Sequence, residues 1–106
     1  MLLGRVIGTV WATRKDEKTE GMKFQIVRAV DLDYKPLSNF IVAVDSVGAG
    51  AGEIVLLAQG SSARMTWLTR DKPVDAVIMA IVDRLDIEIP ESKWEEELSP
   101  SGSFPR

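Results

Sequence analysis

Apolar residues along this chain gather in five short runs separated by charge, glycine or proline, a spacing that suits strands. Val6–Ala12 is rich in β-branched and aromatic side chains. Val6, Gly8, Val10 and Ala12 share one face of that run, and Ile7, Thr9 and Trp11 share the other. The small residues of the first face suit the interior of a tight barrel, and Gly8 is placed to mark a bend. In the second run, Met22–Asp31, an apolar face of Met22, Phe24, Ile26 and Val30 is interrupted by Arg28. Residues 31–36 are turn-rich, and Pro36 bars a helix there. Phe40–Val47 and Glu53–Gln59 have strand length and form the third and fourth runs.

The fifth run, Val74–Leu85, opens at Pro73 and fits two patterns. Val74, Val77, Ile78, Ile81, Val82 and Leu85 trace a helical stripe, whereas Val77–Val82 also reads as a strand buried on both faces. β-Branched side chains at Val77, Ile78, Ile81 and Val82 decide for the strand.

Between the third and fourth runs lies the most distinctive stretch. Gly48, Gly50 and Gly52 occupy alternate positions, with Ala49 and Ala51 between them and Glu53 after them. Glycine accepts positive φ and lets another backbone come close, and alanine keeps the turn nearly free of side chains. Gly60 ends the fourth run, and Ser61-Ser62-Ala63-Arg64 follows, with serines suited to cap a short helix. Five strands with one short helical turn near Ser61–Met65 predict an all-β fold, a small OB-like closed barrel.

A barrel interior needs one apolar face per strand. Here the second faces are apolar as well, at Ile7 and Trp11, Ile41 and Ala43, Ile54 and Leu56, and Val77 and Ile81. A monomer would expose much of this surface, so the pattern argues for an oligomer without setting its order.

The chain has 106 residues and 11.7 kDa, the size of one domain. Its net charge of −3 disfavours a nucleic-acid partner, whose phosphates demand a basic face. There is no cysteine, hence no disulfide framework, and no histidine, the commonest general base and nitrogen ligand. The opening residues lack the apolar length of a signal peptide, and no run approaches a membrane span, so a cytosolic location is expected. The barrel is assigned to residues 1–87 and an acidic extension to residues 88–106, where Trp94 and Phe104 interrupt otherwise polar or linker-like sequence.

Catalytic and cofactor chemistry find little support. The glycine spacing departs from the dinucleotide fingerprint, and a strand follows where a phosphate site needs a helix N-terminus. Asp45 with Glu53, and Asp31 with Asp33, read as turn and strand-end hydrogen-bonding residues, and Ser61 and Ser62 have no histidine to activate them. No metal, no cofactor and no enzymatic activity are expected. The alternative is an OB-fold module for single-stranded nucleic acid, but the aromatics are scattered and no basic stripe accompanies them.

The string Val42-Ala-Val-Asp-Ser-Val-Gly-Ala-Gly-Ala-Gly-Glu-Ile-Val-Leu-Leu-Ala-Gln-Gly-Ser-Ser-Ala-Arg64 resembles the signature of bacterial microcompartment vertex proteins of the EutN/CcmL type. The resemblance extends to residues 4–10, 12–16, 21–24, 73–78 and 81–83, in the same order. It implies a cytoplasmic homopentamer that caps the fivefold vertices of a polyhedral carboxysome or metabolosome shell otherwise tiled by hexameric proteins. It also implies that Gly48, Ala49, Gly50, Ala51, Gly52 and Glu53 pack near the assembly axis, supported by Ser61, Ser62 and Arg64. Trp11 is a departure from the family pattern and joins the candidate interface.

Overall fold

The computed structural model describes residues 1–12, 17–19, 21–66, 69–70, 74–89 and 91–93. Five strands form a closed barrel in the order β1-β2-β3-β5-β4: β1 is Leu2–Val10, β2 Phe24–Val30, β3 Pro36–Asp45, β4 Ile54–Gln59 and β5 Ala76–Ile81. All pairings are antiparallel except β3 with β5, and β1 closes the ring against β4. Short 3₁₀ turns occupy Glu17–Thr19, Gly60–Arg64 and Glu91–Lys93. The fifth run is a strand and the serine segment a single short turn, as the sequence predicts.

The boundaries shift in informative ways. β1 begins at Leu2 and ends at Val10, so Trp11 and Ala12 lie past its end. β3 begins at Pro36, not Phe40, and ends at Asp45, so Ser46 and Val47 already belong to the turn. Pro36 is tolerated as a strand's first residue, where its missing N–H breaks no interior ladder. The fifth strand is trimmed to Ala76–Ile81, and Glu53 lies outside β4. Of the expected charged hairpin after β1, residues 13–16 and 20 lie outside the described residues, as do Pro73 and residues 94–106.

Three inward faces differ from the sequence reading. The register of β1 on β2 slips between Val6 and Gly8, so Ile7 bulges out and the alternation inverts beyond it. Val6 is fully buried upstream of the bulge; downstream, Thr9 turns inward to Gln25 while Val10 is exposed. In β2 the inward residues are Gln25, Val27 and Ala29, not Phe24 and Ile26; of the expected face only Val30 in the strand is buried, past a second register slip on β3. The reason is space: Gly4 faces Val27 so closely that a Cβ at Gly4 would lie 2.3 Å from a Val27 methyl. Beside Gly4 the barrel takes valine and alanine from β2 and leaves the larger Phe24 and Ile26 out, while Leu57 and Ile78 enter from β4 and β5. β3 follows suit, with Ala43 inside and Phe40 and Val42 outside.

The apolar residues form two separate cores. Val6, Val27, Ala43, Val55, Leu57, Ala76 and Ile78 fill the barrel, joined by Ala49 from the glycine turn. Val44, Ala58 and Val77 are each one position away from an inward residue and so point outward. There Ala63 of the 3₁₀ turn, Met22 and Val74 roof them over in a second cluster.

Candidate functional site

The glycine-alanine turn is built outward from one carboxylate. Asp45, the last residue of β3, is buried, and its Oδ1 accepts backbone N–H bonds from Val47 at 3.0 Å, Gly48 at 2.9 Å and Ala49 at 3.2 Å. Aspartate is suited to this because its short side chain folds back on the following backbone. Gln25 spans from β2 to the same loop, with Nε2 donating to Ala49 O at 2.8 Å and to Asp45 Oδ2 at 3.3 Å. Thr9 Oγ donates to Gln25 Oε1 at 2.7 Å and so sets the amide's orientation. Burial by itself pushes the Asp45 carboxyl pKa up, but the three N–H groups and the Gln25 amide outweigh it and hold the pKa below 3.8.

Beyond Ala49 the chain turns back through a second carboxylate. Glu53 Oε1 accepts the Gly50 N–H at 2.6 Å, and Glu53 N–H donates to Gly50 O at 3.2 Å. The return is sewn to β1: Gly52 N–H donates to Val6 O at 2.8 Å, Val6 N–H to Glu53 O at 3.0 Å, and Arg5 Nη1 to Gly52 O at 3.0 Å. Gly48 and Gly52 adopt φ of 75° and 89°, a region that disfavours any side chain. Gly50 does not need positive φ; a Cβ there would meet Glu53 Oε1 at 3.2 Å. Within the subunit the turn presents backbone and two small side chains: Ala49 is buried, whereas Gly48, Ala51, Gly52 and Glu53 are exposed.

The structure thus brings Gly48 through Glu53 into one rigid loop, but not the remaining candidates. Ser61, Ser62 and Arg64 lie in the 3₁₀ turn at the opposite end of β4 from Glu53, roughly 20 Å along the strand. The side chains of Ser61 and Ser62 lie outside what the structure describes, and Arg64 is exposed. Trp11 is 89% exposed and lines a separate groove with Val10, Gly21 and Met22. Both carboxylate pairs act in turns: Asp31 Oδ1 accepts from the backbone of Asp33 at 2.8 Å and Lys35 at 2.9 Å. Among the described residues no cluster of acidic groups could hold a metal ion. Sequence reasoning missed Gln25 and Thr9. The available signal was parity, since Gln25 shares its side of the strand with Val27 and Ala29.

The family model described as "Ethanolamine utilisation protein EutN/carboxysome" matches residues 1–83. The carboxysome shell vertex protein CcmL of Gloeobacter violaceus is 40% identical over 88 residues, 83% of this chain and 88% of that protein. Its solved structure superposes with a TM-score of 0.79, covering 83% of this chain and 91% of that chain. The microcompartment shell vertex protein PduN of Salmonella typhimurium is 45% identical over 89 residues, 80% of this chain and 98% of that protein. The solved GrpN pentameric microcompartment shell protein of Rhodospirillum rubrum matches with a TM-score of 0.73 at 41% identity, covering 82% of this chain and 98% of that chain.

Proposed function

This chain belongs to the EutN/CcmL family, and from that premise we propose that it is the homopentameric vertex protein of a bacterial microcompartment shell in the cytoplasm. The observation that carries the reading physically is the uncovered apolar surface of a barrel whose interior is already full. Ile7 is 53% exposed, Phe40 64% and Val42 43%, and the strand register sets Val42 opposite Ile26 and Phe40 opposite Arg28 on one outer face. A patch of this kind is stabilised by contact with further copies. Cyclic symmetry closes such a contact on itself and supplies the curvature that a flat hexagonal layer lacks.

In this reading the protein works by shape and carries out no chemistry. The rigid loop Gly48–Glu53 packs near the fivefold axis, where nearly side-chain-free backbone allows five copies to converge. Trp11, Ser61, Ser62 and Arg64 lie on the lateral contacts. The partners are further copies of the chain and hexameric shell proteins met through the rim of the pentamer, with no nucleic acid and no membrane. Each rim contact is small and weak, and five on one ring act together. Residues 1–87 form the vertex domain, and residues 88–106 are an acidic extension.

Native mass spectrometry tests the assembly: a pentamer of 11.7 kDa subunits weighs about 58.5 kDa. Co-expression with hexameric shell proteins tests the role. The tagged protein is expected in closed shells, and its omission is expected to leave shells open or misshapen. Shells that close normally and exclude the protein overturn the assignment.

A further inference from the structure

Two arginines face each other across the β1–β2 ladder. Arg5 and Arg28 are register partners on the outer side of the barrel, a placement in which like charges destabilise a sheet. Among the described residues neither forms an ion pair with a carboxylate. Each is nevertheless held in place by a backbone carbonyl: Arg5 Nη1 donates to Gly52 O, and Arg28 Nε to Leu37 O. A guanidinium has five donors, so each fork is oriented while keeping donors for a ligand. Between them lies a cleft of about 270 Å³ lined by Arg5, Ile7, Arg28, Val30, Tyr34 and Pro36.

Tyr34 adds an independent sign of use. It is the sole non-glycine residue with positive φ among the described residues, at 62°. The turn around it is tied by Tyr34 N–H to Asp31 O and Asp31 N–H to Lys35 O, both 3.0 Å. Such a backbone costs an aromatic residue about 1 kcal/mol or more, which glycine would avoid. The wall is therefore two fixed cations, an aromatic ring and an apolar floor. It suits a peptide that carries carboxylates beside an aromatic side chain.

The chain supplies such a peptide. Residues 1–87 contain eleven acidic and eleven basic residues, so the entire net charge of −3 lies in residues 88–106, with five acidic and two basic. Within them, Trp94-Glu95-Glu96-Glu97 sets three carboxylates beside an indole. The exit point is close as well. Val82 N–H bonds to Ile54 O, Ile54 is the register partner of Arg5, and Arg5 that of Arg28. The chain therefore leaves the barrel two strand spacings from Arg5, about 10 Å. The twelve residues from Val82 to Trp94 can span up to about 40 Å when extended.

We propose that the Arg5–Arg28 cleft is the docking site for residues 94–97 of the same chain, with the indole against a guanidinium and the glutamates paired to both arginines. The contact neutralises the cross-strand repulsion. It does not depend on the vertex assignment.

Hydrogen exchange of the full-length protein tests it. Amides of residues 92–98 are expected to exchange about tenfold slower than unstructured chain at low salt, and to lose that protection at 1 M salt. Protection is also expected to vanish in Arg5→Gln/Arg28→Gln and, independently, in Glu95→Lys/Glu96→Lys/Glu97→Lys, the latter with an unchanged oligomeric state. Unstructured exchange rates in the unmodified protein, or equal protection in both variants, overturn the proposal. Because the chain has no cysteine, a Pro36→Cys/Leu98→Cys pair reports the partner. Oxidation is expected to link the pair within one chain, and a ladder of linked chains overturns the same-chain assignment.

Discussion

The outer surface of this barrel has two apolar regions with opposite fates. On β4, β5 and the end of β3, the outward residues Val44, Ala58 and Val77 are buried under Ala63, Met22 and Val74 of the same chain. On β1, β2 and the start of β3, Ile7, Phe40 and Val42 are left open. β3 belongs to both: Pro36–Phe40 are exposed along their whole length, and Ala43–Asp45 are wholly buried. Both regions are apolar and valine occurs in each, so hydrophobicity alone does not separate them. The difference is whether the chain has a segment that folds back over the strand. The first region is a folding core, and the second is the face proposed above for contact with further copies.

The largest effect that separates the two regions comes from placing charge in the covered one. Val77→Asp buries an unpaired carboxylate among apolar side chains and is expected to cost more than about 4 kcal/mol. It should abolish the cooperative thermal transition followed by circular dichroism. The same kind of change on the open side is expected to act on assembly alone. Phe40→Asp/Val42→Asp should fold normally, with a melting temperature within about 5 °C of the parent, the scale of roughly 1 kcal/mol. Native mass spectrometry should find it as an 11.7 kDa monomer. A Phe40→Asp/Val42→Asp variant that still forms pentamers would place the subunit contact elsewhere.

Smaller effects test the loop that joins the two regions. Gly48→Ala forces a side chain into φ of 75° and is expected to lower stability by about 1–2 kcal/mol in urea denaturation. Gly50→Ala meets only the flexible end of Glu53, and about 0.5 kcal/mol or less is expected. Equal costs at the two positions would show that close approach, not backbone conformation, explains the glycines.

The effect of pH reads the anchor of the same loop. The Asp45 pKa is lower in the folded protein than its ordinary 3.8, so its ionised form favours folding. That contribution is complete well above pH 3.8 and fades as pH falls through the folded value. Stability should therefore drop on acidification below about pH 4, and Asp45→Asn should flatten the drop while costing about 1 kcal/mol at neutral pH. Denaturation curves at pH 3 and pH 7 for the two proteins decide it.

Much of the architecture was legible because it depends on local chemistry. Short β-branched runs, turn residues between them and Pro73 before the last run lead to five strands, and the all-β context settles the ambiguous segment. The two-sided apolar strands showed a surplus of apolar surface but not where it lies: Ile7 and Trp11 stay exposed, whereas Ala43, Ile54 and Val77 are buried within the chain itself. Asp31, Asp45 and Glu53 were readable as turn hydrogen-bonding residues. Facing was less legible. Choosing the more hydrophobic side of β2 points Phe24 and Ile26 inward, and the structure places Gln25, Val27 and Ala29 there.

The physical reason is that the sequence records how apolar each position is, whereas facing depends on volume and on long-range register. Gly4 against Val27 limits the bore of the barrel, and only the closed ring reveals that limit. The slip between Val6 and Gly8 inverts one strand's alternation without leaving a distinctive letter. Arg5 and Arg28 are 23 positions apart and become neighbours only through that register. By itself the sequence determined the strands, the turns, the glycine loop and the surplus of apolar surface. Only the tertiary structure decided which apolar residues the chain covers itself, that Asp45 and Gln25 hold the loop, and where two like charges meet, because each depends on contacts between distant strands.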